Sequence, residues 1–347
     1  MLSLMKSVAE KGGIADLICT SESLAQEARE FSRMVTIVPA WTSLRRFPRP
    51  SRVAEAFRLI RQSAPTVVHF NSVDAIVHAL PVLGVLRIPS IAHIHIQGSA
   101  ADLRYVGVHR VSRVVAVGAF GKRELLSGGF SLEQVMMISN GVDFDALFRS
   151  TAIDVRARFG IDQAALCLAS VGSLIQRKRP LLAIEALSKN PSVHLIFIGG
   201  GELEEAARQH ARDLGCFERV HFTGETSEVG SWLRGGIDAV VAPSSEEALP
   251  LGVIEALGIG LPIIGSDIGP HKELIGSFPD ALLFATDNAD DFAARIRDIT
   301  KWPVDRLSAQ SSRPQAVYAR KAYSLEAYCN AFDALYCELT EDAKAQQ

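Results

Sequence analysis

Cysteine is scarce in this sequence and follows no ligand spacing. The chain of 347 residues contains five cysteines, and no two of them form a Cys-x-x-Cys pair. A disulfide-stabilised secreted domain is much denser in cysteine, and a structural zinc site needs closely spaced ligands. We therefore expect a cytoplasmic protein with reduced cysteines, without disulfides and without zinc.

Long apolar runs are also lacking. No stretch reaches the roughly 20 apolar residues of a membrane-spanning helix, and the segment after Met1 has no signal-peptide pattern. Apolar residues make up 48% and charged residues 22% of the chain, the balance of an ordinary globular protein. With 347 residues, the chain is long enough for two domains that each bury a core.

Acidic residues are almost missing from one early segment. Eight arginines lie between Arg29 and Arg61, where the acids are Glu30 and Glu55. This segment is either a solvated surface or a basic face for an anionic membrane surface or a phosphorylated acceptor. Aromatic residues that could stack on bases, Trp41 among them, are few in this segment, so we do not expect nucleic acid as a partner.

Strand and helix patterns alternate along almost the whole chain. The predicted strands cover 15–20, 35–39, 66–71, 89–96, 113–117, 135–139, 166–172, 194–199, 219–223, 237–242, 262–265 and 281–284. Such alternation is typical of α/β proteins with two parallel sheets and helices on both faces. The turn dipeptide Asn140-Gly closes the first half, and we place the link between the two domains near 148–153.

The most informative segment runs from Pro243 to Pro262. A short strand of apolar residues ends at Pro243, and the sequence predicts a helix over 251–258 with Pro250 at its start. Glu247 therefore lies in a loop at the carboxyl end of a strand, where open α/β sheets bind ligands. Glu255 lies one turn into the helix.

This arrangement suits a ligand that is anionic in its middle and carries hydroxyls at both ends. The N–H groups at the helix start and the positive end of its dipole can hold a phosphate. The carboxylates of Glu247 and Glu255 can accept hydrogen bonds from hydroxyls on either side. A nucleotide-sugar has this plan. The alternative is a solvated surface helix that carries an ordinary acid.

The segment closely resembles the retaining GT-B glycosyltransferases of family four, also called glycosyl transferases group 1. The family signature is a glutamate, seven residues, a second glutamate followed by alanine, and then Gly-x-Pro; Glu247, Glu255-Ala and Gly260-Leu-Pro supply it. The resemblance implies two Rossmann-like, doubly wound domains that face each other across a cleft. It assigns 1–150 to the acceptor side, 151–320 to the nucleotide-sugar, and 321–347 to a helix that packs back on the first domain.

The resemblance also implies an activity, the transfer of a hexose from a nucleotide-diphosphate sugar to an acceptor hydroxyl with retention of configuration. Glu247 would contact the donor hexose and Glu255 the ribose diol. The backbone around Leu249, Pro250 and Leu251 would touch sugar and phosphate.

A second donor-binding element follows an earlier strand. Gly172 ends the strand, and the basic cluster Arg177-Lys-Arg179 precedes the next helix. Lys178 aligns with the lysine of the family and would hold the departing diphosphate as a point charge. The family often has arginine directly after the glycine, where this chain has Ser173, so Arg177 or Arg179 would compensate. Solvated cations at a helix start are the alternative.

Two further patterns carry less information. Gly199 and Gly201 form a glycine turn after the next strand that would let the backbone approach the nucleotide, although a bare strand-to-helix turn has the same sequence. Asp143 and Asp145 form an Asp-x-Asp pattern that can hold Mg²⁺ or Mn²⁺ in other glycosyltransferases. We interpret this pair as structural, because it belongs to an Asn-Gly-Val-Asp turn that family members carry near the domain boundary.

Histidines alternate at the end of the strand over 89–96. His95 matches a histidine that family members place near the reacting sugar, which makes it a candidate catalytic residue beside Glu247. A buried core histidine is the alternative, and it applies still more to His93. No third ligand accompanies this pair, so we do not expect a metal site here.

The chain departs from the family at its start. Family members begin with a strand and a glycine-rich loop, whereas residues 1–12 already predict the first helix and a strand follows at Ala15. The opening strand is missing from the pattern, through a start assigned too late or through a real loss. A missing central strand would leave sheet edges exposed.

The expected partners are a UDP- or GDP-linked sugar donor and a sugar or lipid-linked sugar acceptor, in bacterial cell-surface polysaccharide or glycolipid synthesis. We expect no cofactor and no metal, because Lys178, its neighbouring arginines and the helix start would neutralise the diphosphate. The expected location is the cytoplasm or the inner face of the cytoplasmic membrane, as a peripheral protein. Two alternatives remain open, a non-catalytic homologue that only binds nucleotide-sugars and a nucleotide-sugar epimerase of the same fold.

Overall fold

The structure is a computed structural model that forms two compact units. It describes residues 1–38, 47–95, 99–303, 307 and 309–345. The first unit comprises Met1–Gly141 with Leu325–Gln347, and the second comprises Val142–Ser324. Residues 142–150, which the sequence analysis assigns to the first domain, belong to the second unit because Phe144 and Leu147 are part of its core.

The strands of the first unit are all parallel but belong to two sheets. They are β1 (Leu17–Cys19), β2 (Val35–Ile37), β3 (Val68–Phe70), β4 (Ser90–Ile94), β5 (Arg113–Ala116) and β6 (Val135–Met137). The first two pair with each other, and the other four form a sheet in the order β3-β4-β5-β6. Each strand lies where the sequence predicts one, but no strand among the described residues joins β2 or β1 to β3.

The first unit begins with a helix, as the sequence predicts. Its helices up to residue 141 are α1 (Leu2–Glu10), α2 (Glu22–Ala28), α3 (Pro50–Ser63), α4 (Ile76–Leu86), α5 (Ala100–Tyr105) and α6 (Ala119–Ser127). Proline at the first position of α3 fits a helix start, because its missing N–H has no partner there in any case. Leu59 and Ile60 of α3 pack with Phe70 and with α4 in one buried cluster.

The second unit holds one parallel sheet of doubly wound topology. Its strands are β7 (Leu166–Val171), β8 (Val193–Ile198), β9 (Val220–Phe222), β10 (Ala239–Ala242), β11 (Ile263–Ser266) and β12 (Ala281–Phe284). Their order is β12-β11-β10-β7-β8-β9, so the chain starts in the middle and winds outwards in both directions. This is the strand order of dinucleotide-binding α/β domains, in which the crevice opens where the winding direction changes. Here that point lies between β7 and β10.

Helices cover this sheet on both faces. They are α7 (Phe144–Arg149), α8 (Val155–Phe159), α9 (Pro180–Ser188), α10 (Glu204–Asp213), α11 (Val229–Leu233), α12 (Leu251–Ile259), α13 (Gly269–Ile275), α14 (Ala289–Ile299) and α15 (Pro314–Ala322). The strands bury their two faces in separate clusters, one with α12 and one with α9 and α14. The sheet interior is therefore apolar on both sides, and polar chemistry is confined to the strand ends.

The terminal helix α16 (Leu325–Ala345) belongs to the first unit. Its Phe332 and Leu335 are buried together with Leu4 of α1 and with Ile91 of β4 and Val115 of β5. An ion pair between Lys11 and Asp333 lies at the rim of this contact. In the part of the chain that the structure describes, no helix is both long and apolar enough to cross a bilayer.

Candidate active site

The candidate site lies where β7 and β10 end side by side. Both strands are parallel, so their carboxyl ends meet at one edge of the sheet, at the change in winding direction. Gly172 follows β7 and the loop 243–250 follows β10. A cleft at this edge is lined by Gly172, Lys178, Glu247 and the first turn of α12. The structure thus brings Lys178 and Glu247, two of the donor-site residues expected from the sequence, to the same edge of the sheet.

Glu247 is the centre of a buried polar cluster. Its side chain is only 5% exposed. Lys178 Nζ lies 2.5 Å from its Oε1, Arg177 Nη1 lies 2.9 Å from its Oε2, and Ser244 Oγ donates to Oε1 at 2.8 Å. Burial alone would raise the pKa of Glu247, but Lys178, Ser244 and Arg177 outweigh it and hold the pKa below its usual value. The carboxylate is therefore ionised and fixed in orientation.

The turn that carries the two cations is tied to the loop that carries Glu247. The backbone N–H of Ser245 donates to the carbonyl of Arg177 at 2.8 Å. Arg177 Nη1 lies 3.3 Å from the carbonyl of Glu246. Arg179, the other arginine that the sequence offers as compensation for Ser173, forms an ion pair with Asp287, with 2.8 Å between Nε and Oδ1. Of the two arginines, the structure brings Arg177 to Glu247 and pairs Arg179 elsewhere.

Glu255 is half-buried on α12, and its protonation differs from the expected one. Burial raises its pKa to about 7, and the nearby charge of Lys178 only partly opposes this shift. Near neutral pH, Glu255 is thus a mixture of carboxylate and carboxylic acid. In its protonated form, Glu255 can donate one hydrogen bond in addition to accepting them.

The start of α12 offers unpaired backbone N–H groups to the cleft. Pro250 precedes the helix, and no described side chain caps it. The N–H groups of Val253 and Ile254 both donate to the carbonyl of Pro250, which leaves those of Leu251 and Gly252 for another acceptor. A Cβ on Gly252 would lie 2.8 Å from Cβ of Val171, so glycine is required for the helix to approach β7 this closely.

Gly199 and Gly201 are explained by loop packing. A Cβ on Gly199, whose φ is +135°, would lie 2.4 Å from the carbonyl oxygen of Gly172. A Cβ on Gly201 would lie 2.5 Å from the carbonyl oxygen of Leu174. These glycines hold the loops after β7 and β8 against each other. Their contacts account for both residues without a ligand, which is the alternative that the sequence left open.

The sequence analysis missed a buried support behind Glu247. Ser266 Oγ donates to the carbonyl of Ser244 at 2.5 Å, and His271 Nδ1 donates to the carbonyl of Ser266 at 3.0 Å. His271 is fully buried, and this burial lowers its pKa to about 4. A serine at or near the end of a buried strand is the sequence signal that could have indicated this support: Ser244 lies two residues after β10, and Ser266 is the last residue of β11.

In the first unit, His95 lies at the end of β4 between two asparagines. Its Nε2 lies 2.8 Å from Oδ1 of Asn71, and its Nδ1 lies 3.4 Å from Nδ2 of Asn140. Burial lowers the pKa of His95 to about 4, helped by the positive charge of the amino terminus. His93 is 1% exposed and its ring centroid lies 3.9 Å from that of His95. His93 is thus the core residue that the sequence analysis considered.

Two family models match the chain over adjacent segments. The model for Glycosyltransferase Family 4 matches residues 1–146, and the model for Glycosyl transferases group 1 matches residues 153–314. The chain is a family 4 glycosyltransferase. This family membership confirms the resemblance that the sequence analysis drew from the segment with Glu247 and Glu255.

Curated relatives of this family 4 glycosyltransferase match part of their length. It is 28% identical over 172 residues to D-inositol 3-phosphate glycosyltransferase of Mycobacteroides abscessus, covering 48% of this chain and 39% of the relative. It is 28% identical over 166 residues to the lipopolysaccharide core biosynthesis glycosyltransferase LpsE of Rhizobium meliloti, covering 48% and 47%. The matched region therefore spans less than half of these relatives.

Solved structures show that the fold is GT-B. The crystal structure of HepE from Anabaena in complex with UDP superposes with a TM-score of 0.81 at 18% identity, covering 97% of this chain and 94% of that one. Sucrose-phosphate synthase from Thermosynechococcus elongatus gives a TM-score of 0.78 at 18% identity, covering 98% and 92%. The predicted fold class, two α/β domains with parallel sheets, is confirmed.

Asp143 has a structural role in this family 4 glycosyltransferase. Its carboxylate accepts from the N–H of Ala146 at 2.8 Å and caps α7, and it lies 3.3 Å from Arg149. These contacts support a structural interpretation of Asp143, and Asp145 lies in the first turn of α7. In the described residues, no group of three or more histidine, cysteine, aspartate or glutamate side chains is arranged to hold a metal ion.

Several arginines of the basic stretch are paired with acids. Arg29 pairs with Glu22, Arg33 with Asp16, and Arg52 with Glu55. Trp41, Arg45 and Arg46, which belong to the same stretch, lie outside the described residues. Because acids neutralise these three arginines, the net positive charge of this surface is lower than the number of arginines indicates.

Proposed function

We propose that this glycosyltransferase transfers a hexose from a nucleotide-diphosphate sugar to an acceptor hydroxyl with retention of anomeric configuration. The proposed setting is bacterial cell-surface polysaccharide or glycolipid synthesis. HepE was crystallised with UDP and with UDP-glucose, and LpsE is named for lipopolysaccharide core biosynthesis. These names support a nucleotide-linked donor, which we propose to be UDP- or GDP-linked, and a sugar or lipid-linked sugar as acceptor.

The observation that carries the proposal is the ionised, buried Glu247 between Lys178 and Arg177. A carboxylate held this rigidly suits a hexose, because it can accept hydrogen bonds from sugar hydroxyls without reorganising. Lys178 has a second function in the proposal. Its ammonium group lies at the same strand edge as the free N–H groups of α12, so a diphosphate placed there would meet both.

The proposed catalysis is electrostatic. Lys178, Arg177 and the start of α12 stabilise the diphosphate as it departs, which requires no metal. Glu247 orients the hexose, Glu255 binds the ribose diol, and His95 supports the oxocarbenium-like centre. Leu249, Pro250, Leu251 and the glycines Gly172, Gly199 and Gly201 shape the donor pocket.

A membrane surface is the proposed location of the acceptor. The arginines between Arg29 and Arg61 would place the first unit on anionic lipid, with the protein at the inner face of the cytoplasmic membrane. The helix α3 supports this idea in part, because it carries Arg58 and Arg61 together with the exposed Phe57. A soluble phosphorylated acceptor is the alternative for the same charges.

The test combines a donor screen with a matched pair of variants. UDP-, GDP- and ADP-sugars are screened by thermal shift, and the stabilising donors are then assayed for transfer to sugar and lipid-linked acceptors. Glu247→Gln should reduce turnover about 100-fold, because the hexose loses its orientation. Glu246→Gln is the control, since that side chain is exposed and only its backbone carbonyl contacts Arg177.

Each alternative function predicts a different outcome of this test. Tight donor binding without transfer or hydrolysis would indicate a non-catalytic homologue. A donor that isomerises in the absence of any acceptor would indicate an epimerase. Equal turnover of Glu247→Gln and Glu246→Gln would remove Glu247 from the catalytic site.

A further inference from the structure

We infer that Asn71 and Asn140 are positioning residues for His95, which together hold its ring as a neutral imidazole with the proton on Nε2. In this form Nδ1 is a hydrogen-bond acceptor for a hydroxyl of the bound sugar or acceptor. The inference rests on the proposed function, because it assigns a use to His95 in sugar transfer.

The topology of the first unit brings the three residues together. Asn71 directly follows β3, His95 directly follows β4, and Asn140 lies shortly after β6. These strands are parallel members of one sheet, so all three residues lie at its carboxyl edge. That edge is where open α/β sheets place ligands. Residues from three separate strand ends converge on one imidazole ring.

The two contacts specify one tautomer. Asn71 presents Oδ1, which can only accept, so His95 Nε2 must donate across the 2.8 Å contact. Asn140 presents Nδ2, which can only donate, so Nδ1 must accept across the 3.4 Å contact. A protonated His95 would turn an N–H towards the amide N–H of Asn140. The pair of asparagines therefore opposes both the other tautomer and the charged ring.

Burial and the charge of the amino terminus also oppose a positive charge on His95, and the other titratable groups around it are two histidines and a tyrosine. His93 lies beside it on β4, and His69 of β3 lies 5.4 Å from His93, measured between ring centroids. Tyr336 of α16 bonds to His69 Nδ1 at 2.7 Å, and the amino terminus of α1 contributes positive charge. No carboxylate is among the groups that shift the pKa of His95, which burial and this charge lower to about 4.

The two asparagines hold the ring unequally. The contact with Asn71 has the length of a good hydrogen bond, whereas 3.4 Å to Asn140 is long. A sugar hydroxyl that donates to Nδ1 would thus replace Asn140 at little cost while Asn71 keeps the tautomer. Asn140 occupies the acceptor position until substrate arrives.

The first test measures the tautomer directly and needs no turnover. In protein labelled with ¹⁵N-histidine, long-range ¹H–¹⁵N correlations identify which ring nitrogen carries the proton, and His95→Gln assigns the signal. Wild-type His95 should be neutral with the proton on Nε2 from pH 6 to 8. Asn71→Asp should make the ring doubly protonated near neutral pH, because a carboxylate favours the cation. A proton on Nδ1 in the wild type, or an unchanged ring in Asn71→Asp, would overturn the inference.

The second test follows transfer as a function of pH. Asn71→Asp should lose at least tenfold in kcat at pH 6 and recover at high pH, as the new cation deprotonates. Ser72→Ala is the control at the same strand end, since Ser72 contacts Asp74 and not His95. Asn140→Asp should lose kcat at pH 6 in the same way, because a carboxylate beside Nδ1 also favours the doubly protonated ring. Parallel pH profiles for Asn71→Asp and wild type would overturn the inference.

The two tests separate failure of the inference from failure of the proposed function. Full transfer by His95→Ala would show that His95 takes no part in the reaction. It would also contradict the proposed hydrogen bond between Nδ1 and a hydroxyl of the sugar or acceptor. The ¹⁵N measurement would still decide whether Asn71 and Asn140 set the ring, because it reports on the ligand-free protein.

Discussion

Lys178 Nζ lies 2.5 Å from Glu247 Oε1, although the two residues follow different strands and are far apart in sequence. They meet because β7 and β10 are neighbours in the sheet, at the point where its winding direction changes. The pair joins the two strand ends that line the proposed donor pocket and keeps a buried carboxylate ionised. Removal of either partner should therefore affect stability as well as activity.

Lys178→Met should destabilise the protein by about 1–3 kcal/mol at neutral pH, because Glu247 stays buried but loses the ammonium group that lies against its Oε1. The urea midpoint of unfolding measures this. The matched control is Lys189→Met, which breaks the exposed ion pair with Asp290 and should have no measurable effect. The lowered pKa of Glu247 contributes stability above its usual value of 4.5, and this contribution is lost as the pH falls. The difference between Lys178→Met and wild type should thus shrink in acid; a constant difference would contradict the account.

Glu255 should make the protein less stable as the pH rises. The pKa of Glu255 is about 7 in the folded protein and 4.5, the usual value, in the unfolded chain. Between these two pH values, the folded protein binds more protons at Glu255 than the unfolded chain does. Stability from this residue is therefore complete below pH 4.5 and is lost as the pH rises towards 7 and above. Glu255→Gln should be about 1–3 kcal/mol more stable than wild type at pH 8 and about equal at pH 4.5. Unfolding curves at both pH values, with Glu246→Gln as control, decide this.

Gly201→Ala should lower the melting temperature, since its Cβ would lie 2.5 Å from the carbonyl oxygen of Leu174 and the two loops would have to separate. The expected cost is about 1–3 kcal/mol. Gly84→Ala is the control inside α4, where a Cβ would meet no atom within 4 Å. That change should stabilise by about 0.5–1 kcal/mol through helix propensity. Equal shifts for both variants would mean that loop packing does not require Gly201.

Transfer should continue in excess EDTA, because cationic side chains and a helix start neutralise the diphosphate in the proposed mechanism. Asp143→Ala should cost about 1 kcal/mol of stability by removing the cap of α7, and should leave turnover of the folded enzyme intact. Activity that EDTA abolishes and Mn²⁺ restores, together with inactive Asp143→Ala and Asp145→Ala, would establish these residues as metal ligands.

Membrane docking should be electrostatic if the basic stretch causes it. Each arginine near anionic lipid contributes about 1 kcal/mol, and salt screens the attraction. The protein should sediment with anionic vesicles at low salt, stay in solution at several hundred millimolar salt, and ignore neutral vesicles. Replacement of Arg45, Arg46, Arg49 and Arg52 by glutamine should abolish sedimentation. Replacement of Arg295 and Arg297 on the second unit should not. Wild-type protein that stays in solution at low salt would rule out the membrane interpretation.

The strands and the loop with Glu247 could be predicted because their signals are local. Short, largely apolar runs mark both β7 and β10, and Pro250 marks the start of α12. The partners of Glu247 were partly predictable, since the basic cluster at Lys178 also follows a strand. The sequence could not predict that Arg177 contacts Glu247 whereas Arg179 contacts Asp287. This difference depends on a left-handed backbone at Arg179, with φ of +51°, which directs that side chain to Asp287.

The sequence could not predict features that depend on burial or on strand pairing. The pKa of Glu255 follows from its half-buried position on α12, and a helical period alone gives no measure of desolvation. The first unit has two sheets because of the way its strands pair. Strand pairing cannot be read from the residue patterns, since β1 and β3 are both short, mainly apolar segments. Asn71, His95 and Asn140 are distant in sequence, and only the strand order places them around one ring.

The central claim is that the site around Glu247 transfers a hexose with retention. The most direct measurement is a time-resolved ¹H NMR spectrum of the anomeric region during transfer from an α-linked nucleotide-sugar identified in the donor screen. The account predicts that an α-linked product appears first, that Glu246→Gln forms it at the wild-type rate, and that Glu247→Gln forms it about 100-fold more slowly. A β-linked first product, or equal rates for the two variants, would contradict the account.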